Sequence, residues 1–235
     1  MRYAWMALAL LLTPTLPAQI VVPAGTVLPL QLETGLNARH ARAGEMVRAE
    51  VMQNIPGTTI HRGAQVLGRV VSVTPTTLTL RFDTLVANRQ RTPLHTNLRA
   101  IAGMMAVDEA QIPEEEASRG LTPETWTTQQ IGGDMVYRGG GPVARGMDYV
   151  GEPTPYGARG KLTANSPCRG AVAGDERPQA LWLFSTNACG AYGFEDLTVA
   201  HFGRTGPVGN IELVSKTGKL NIRSGSGLLL RVTGS

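Results

Sequence analysis

The sequence is poor in the residues that most often announce a function. Aromatic residues make up 5% and charged residues 17% of its 235 positions, with 4 His and 2 Cys. Two cysteines exclude a disulfide-dense miniprotein. His40, His61, His95 and His201 lie far apart, so none forms a local metal-ligand pair, and no metal or cofactor site is expected. The low charge content excludes a long coiled coil and a disordered acidic tail. No apolar run reaches the ~18 residues a membrane-spanning helix needs. The expectation is a chain with no transmembrane span once its leader is removed.

What the sequence has instead is 28 Gly and 15 Pro. Such a content favours many turns and short strands over long helices. The expected fold is mainly β: a small barrel or sandwich, discontinuous in sequence, with an irregular insertion carrying one or two short helices. The β part is expected at 19–101 and 197–235, and the acidic, Gly-rich insertion at 102–196.

The first 18 residues read as a secretory signal. Arg2 supplies the positive end, residues 4–12 are apolar, and the cleavage region ends at Ala18. A nine-residue run spans about 14 Å as a helix, well short of a bilayer core of about 30 Å. The chain is therefore expected to be exported, periplasmic or extracellular. Cys168 and Cys189 fit that compartment as a disulfide. A nucleophilic Cys189, with Gly190 beside it and His201 further on, is the weaker alternative, because an exported enzyme must keep its thiol reduced.

Charge is distributed in blocks. Residues 19–101 hold nine Arg against Glu33, Glu45, Glu50 and Asp83, whereas 102–196 are net acidic and 197–235 carry Glu212 as their one acid. The arginines are scattered at alternating strand positions without interleaved aromatics, so no nucleic-acid interface is expected. A basic domain and an acidic insertion would attract one another.

Three segments share one pattern: Val22-Pro23-Ala24-Gly25-Thr26, Ile60-His61-Arg62-Gly63-Ala64 and Ile222-Arg223-Ser224-Gly225-Ser226. Each leads into a strand with apolar positions aligned at 28/66/228 and 32/70/232. Gly25, Gly63 and Gly225 suit tight turns that need positive φ. Further strands are expected at 45–52, 77–86, 91–101, 180–185, 197–202, 210–214 and 219–222. Short helices are expected at 113–120 and from Thr122 to near Gly132. Trp182 is expected to anchor a core.

The first of these segments, followed by Leu32-Glu33-Thr34-Gly35-Leu36-Asn37, resembles the start of the TrbI-like C-terminal domain of conjugation and type IV secretion channel proteins. The likeness covers about residues 22–86, with a weaker C-terminal match. Short stand-alone envelope proteins share the Pro-Ala-Gly-Thr opening. The resemblance implies a periplasmic β-barrel that packs against neighbours.

No catalytic constellation is legible. Gly139-Gly140-Gly141-Pro142 lacks the Lys-Ser/Thr of a phosphate loop, and Gly225-Ser226-Gly227 lacks the nucleophile-elbow pattern. Glu114-Glu115-Glu116 reads as a solvated helix start. Asp134, Asp148, Asp175 and Asp196 suit turns. The expected role is a non-enzymatic cell-envelope module for assembly or binding, whose partners are envelope proteins or a cell-wall polymer. An alternative is a carbohydrate- or peptidoglycan-binding module stacking Trp126, Tyr137, Tyr149 and Tyr156 on sugars. A secreted enzyme of unknown reaction is the third.

Overall fold

In a computed structural model the described residues are 20–110, 127–129, 131–132, 134–137, 144–145, 148–149, 151–154, 157–161, 181–185, 188–200 and 209–234. The chain opens with β1 (Val27–Leu32), β2 (Leu36–Asn37), β3 (Met46–Val51), β4 (Gln65–Val73), β5 (Thr77–Ala87), β6 (Gln90–Pro93) and β7 (His95–Ala102). A seven-residue helix, α1 (Met104–Ala110), follows. Next come β8 (Thr127–Gln129), β9 (Asp134–Tyr137), β10 (Ala144–Arg145), β11 (Asp148–Tyr149), β12 (Gly151–Thr154) and β13 (Gly157–Lys161). The last are β14 (Gly190–Tyr192), β15 (Leu197–Val199), β16 (Ile211–Ser215), β17 (Asn221–Ile222) and β18 (Gly227–Gly234).

The fold is mainly β. One ten-stranded sheet runs β14-β7-β18-β1-β3-β4-β5-β16-β15, with β6 also on β5. Its ladders are antiparallel except β14 on β7. Smaller sheets join β12-β13-β9-β8, β10-β11 and β17-β2. The C-terminal strand is central, lying between β1 and β7.

The expected barrel is not a closed one, because the ladder path ends at β14 and β15. The sheet nevertheless curls round a single interior. Alternation in β3 and β5 points every second side chain inward. Leu30, Val47, Val66, Phe82, Leu98 and Leu213, from strands spread along the whole path, meet in one buried cluster. Each such side chain contributes roughly 1.5–3 kcal/mol on leaving water. The single strand expected over 91–101 is divided: β6 pairs with β5, and β7 pairs with β18. Leu94 marks the change, its amide donating to the Asp83 carbonyl at 2.8 Å.

β7 breaks strict alternation because both of its faces are covered. Leu98 and Ile101 belong to the main core. Ala100 and Ala102 belong to a second cluster with Leu229 of β18, Val107 of α1, Ile131 and Phe184. The small alanine side chains let the covering layer come close. Gly103 shows how close, since a Cβ there would sit 2.9 Å from the Gly193 carbonyl oxygen.

Three other expectations change. In the segment expected as a strand over 180–185, the described residues 181–185 form none: Leu181 and Phe184 bracket a tight turn. Trp182 is half-buried at that turn and packs on the edge of the second cluster, so it is not a core anchor. The helix expected from Thr122 to near Gly132 is interrupted by β8, where two consecutive β-branched threonines favour extended backbone. The helix expected at 113–120 lies outside the described residues. Helix α1 was not anticipated, since Met104-Met105-Ala106-Val107 carries no capping signal.

Candidate functional site

The feature that organises the described sheet is a set of four glycine turns. Gly25, Gly63 and Gly225 have φ of 90°, 90° and 87°. Gly44, which the sequence reading passed over, has φ of 86° and stands in the same place before β3. Each turn is closed by the residue after Gly: Thr26 to Pro23, Glu45 to Arg42, Ala64 to His61 and Ser226 to Arg223, at 3.0–3.2 Å. Glycine third in such a turn is the type II arrangement.

Each turn is also clamped to the far end of a neighbouring strand by two backbone bonds. The Gly25 amide donates to Val232, whose amide donates to Thr26; Gly44 and Glu45 hold Val70 in the same way. Gly63 and Ala64 hold Val51, and Gly225 and Ser226 hold Leu32. The clamps are reciprocal. β1 and β18 hold one another, and so do β3 and β4. All four clamped side chains are buried. The missed turn reads Ala41-Arg42-Ala43-Gly44-Glu45, and its alanine leader is a weaker apolar signal than Val22, Ile60 or Ile222.

Polar residues of the segment from Val22 to Asn37 hold backbone. Thr26 Oγ1 donates to the Pro23 carbonyl at 2.7 Å. Thr34 Oγ1 accepts the Arg48 amide at 3.1 Å, and Asn37 Oδ1 accepts the Arg39 amide at 2.9 Å. Glu33 faces the Arg48 guanidinium at 3.9 Å across exposed surface, a contact of little energetic weight.

Around Cys189 the chain is tightly buried. No described cysteine is free, and Cys189 is in a disulfide. Cys168 lies outside the described residues. The Tyr192 hydroxyl accepts the Cys189 amide at 2.9 Å and donates to the Cys189 carbonyl at 3.0 Å. Burial pushes the Tyr192 phenol up, opposed by its bond to Cys189 and by the nearby Arg99 charge. Arg99 is itself buried, and its Nε donates to the Ala188 carbonyl at 3.1 Å. Gly132 fits against this group, since a Cβ there would lie 2.7 Å from the Tyr192 hydroxyl.

Trp182 has φ of 56°, a left-handed value that costs a bulky residue about 1–3 kcal/mol. Leu181 and Phe184 exchange backbone bonds at 2.9 Å around it, which makes Trp182 the first residue of a two-residue loop. Gly is the usual residue there. Two contacts hold the strained residue: its amide donates to Gln53 Oε1, and its ring meets Phe184 edge to face at 6.4 Å. Nothing in the sequence signals a positive φ at a tryptophan.

Asp196 is the other organised carboxylate. It accepts Ser215 Oγ at 2.7 Å, the Thr217 amide at 3.0 Å and the Thr217 hydroxyl. These bonds, those from Thr217 first, hold its carboxyl below the ordinary range.

Of the aromatic residues singled out from the sequence, Tyr137 lies on β9 and Tyr149 on β11. Trp126 and Tyr156 fall outside the described residues. β9 and β11 belong to separate sheets. Among the described residues no group of three or more His, Cys, Asp or Glu could hold a metal ion. No described helix is long and apolar enough to cross a membrane.

Compared with known proteins, the chain matches no family model and no curated protein.

Proposed function

We propose that the chain is an exported, non-enzymatic cell-envelope protein that acts as an assembly or binding module. The observation that carries this reading is how the family-like segment spends its polar groups. Thr26, Thr34 and Asn37 are each bonded to backbone, where they fix turns and strand ends. Groups committed in this way build a scaffold, and the four reciprocal clamps make that scaffold rigid. A rigid sheet with loops at its ends suits binding better than chemistry that needs a poised nucleophile. The likeness to the TrbI-like domain, the leader at 1–18 and a Cys168–Cys189 disulfide all belong to this proposal. The partners are envelope proteins or a cell-wall polymer.

In-cell crosslinking of the tagged native protein, with mass analysis of the envelope fraction, tests the reading. A reproducible set of envelope or secretion proteins is expected. Recovery of monomer alone would count against assembly. Export is checked separately, by whether the mature protein begins at Gln19 and leaves the cytoplasm.

A further inference from the structure

We propose that one end of the sheet is a docking face for an anionic phospholipid surface, engaged through Arg62, Arg89 and Arg91. The proposal goes beyond the assembly reading and does not rest on it. The ladders bring these arginines to one end. Glu50 near the end of β3 pairs with Gln65 at the start of β4, Gln65 with Val86 near the end of β5, and Val86 with Arg91 of β6. β1 starts at the same end, since the Met52 amide, just past β3, donates to the Pro29 carbonyl at 3.0 Å. Arg91 thus stands two strands, about 10 Å, from Gln65. Arg62 lies in the turn that leads into Gln65, and Arg89 in the turn that leads into β6. All three are exposed.

Their charge is not cancelled locally. The two ion pairs among the described residues, Arg48 with Glu33 and Arg69 with Asp83, involve none of them. Glu50 is the one described acid on the strand ends and turns that build this end, and its Oε1 would lie 4.0 Å from a Cβ at Gly63. The opposite end differs in kind. There Arg39, Arg42, Lys216, Lys219 and Arg223 are interspersed with Glu33, Glu45 and Asp196.

The turn before β6 is a second observation. Ala87 pairs with Gln90, so Asn88 and Arg89 form a two-residue hairpin loop with φ of 51° and 63°. Gly is the preferred second residue of such a loop. Arginine there works against the backbone at an exposed tip. The chain keeps a cation where stability alone would place glycine.

The chemistry selects the occupant. The planar fork of arginine suits phosphate. Cations spread over about 10 Å suit several phosphates lying in a plane better than one anion in a pocket. At the same end, the segment leading into β1 exposes aliphatic surface: Val21 is 71% exposed, and Pro23 and Ala24 are exposed too. Cations beside aliphatic groups match the boundary between charged headgroups and acyl chains. A nucleic acid would use the cations and leave Val21 in water.

The test floats the protein, as purified from cells, with vesicles of phosphatidylcholine alone or mixed with phosphatidylglycerol. Preferential binding to the anionic vesicles is expected, falling as salt is raised to about 0.3 M. Arg89→Gly should weaken it about 5-fold, the equivalent of about 1 kcal/mol for one cation at a membrane surface. The melting temperature should not fall, because Gly suits the turn. Arg62→Gln combined with Arg91→Gln should weaken binding roughly 10-fold or more. Arg39→Gln, the same charge change at the opposite end, should leave it nearly unchanged. Equal binding to both vesicles, or none to either, overturns the proposal. So does a loss with Arg39→Gln as large as with Arg89→Gly, which would make net charge the cause. If the arginine variants keep vesicle binding but lose crosslinks to envelope proteins, the end serves a protein and the lipid proposal falls. Failure in the vesicle arms alone leaves the crosslinking result, and hence the assembly reading, untouched.

Discussion

The amide of Gly25 donates to the carbonyl of Val232 at 2.7 Å, so the turn before the first strand is bolted to the end of the last. The return bond, from Val232 to Thr26, is 2.8 Å. This pairing, together with the matching one between Gly225 and Leu32, makes β1 and β18 depend on one another although nearly the whole chain separates them. β3 and β4 repeat the arrangement with a short connection. Two reciprocal pairs thus lie side by side, joined through the β1–β3 ladder.

Alanine at the turn glycines should destabilise the protein in a definite order. At Gly25 and Gly44 a Cβ would meet nothing within 4 Å, so the cost is backbone strain alone, about 1–2 kcal/mol. At Gly225 the Cβ would also lie 3.1 Å from Met104 Cγ. Urea unfolding should therefore rank Gly225→Ala as more damaging than Gly25→Ala or Gly44→Ala. Equal losses at the three sites would show that crowding from α1 is relieved without cost.

Gly68 is needed for a different reason. Its Cβ would sit 2.3 Å from the Arg81 carbonyl oxygen and 2.8 Å from Phe82 Cδ1. Backbone cannot swing aside as a side-chain tip can. The β4–β5 register shifts between Leu67 and Gly68, which marks the close approach. Gly68→Ala should cost about 3 kcal/mol, the upper end of overpacking. A change below about 1 kcal/mol in urea unfolding would mean that the two strands separate easily here.

How far the sequence foretold this depends on whether local pattern or tertiary cover decides each element. The turns at Gly25, Gly63 and Gly225 were legible because an apolar residue, two turn formers and Gly recur ahead of alternating strands. Gly44 was missed because Ala41 is a weak marker. The alternation of β5 placed Leu78, Leu80 and Phe82 on one face from sequence alone, and the three are buried. β7 was less clean for a reason outside itself: α1 and the segment around Phe184 cover its second face. Trp182 illustrates the limit. Its position follows from a turn closed by Leu181 and Phe184 and from its amide's bond to Gln53 Oε1, more than a hundred residues away in sequence, against the preference of the residue itself.

The disulfide gives a third prediction. If Cys168 and Cys189 are joined, non-reducing peptide mapping should recover the two as one linked species, and native protein should not react with thiol reagents. Reduction, or Cys168→Ser with Cys189→Ser, should lower stability by about 3 kcal/mol through loop-closure entropy, less any strain released. A reactive thiol at Cys189 in native protein would refute the pairing and return attention to a thiol enzyme.

Acid and alkali should act on two separate groups. Asp196 is held below the ordinary aspartate range by Thr217 and Ser215, so its stabilisation is present above the unfolded value of 3.8 and is lost as pH falls through the folded value. Tyr192 is raised by burial, so its contribution is intact below the unfolded value of 10.0 and is lost as pH rises through the folded one. Asp196→Asn should therefore narrow its stability gap from wild type as pH falls below about 4. Tyr192→Phe should remove the alkaline dependence while costing about 1–3 kcal/mol at neutral pH, because the Cys189 amide and carbonyl both lose their partner in a buried site. Melting temperatures of the three proteins across pH 2–11 decide both points. Parallel curves for wild type and Tyr192→Phe above pH 10 would show that the phenol reaches water before it ionises.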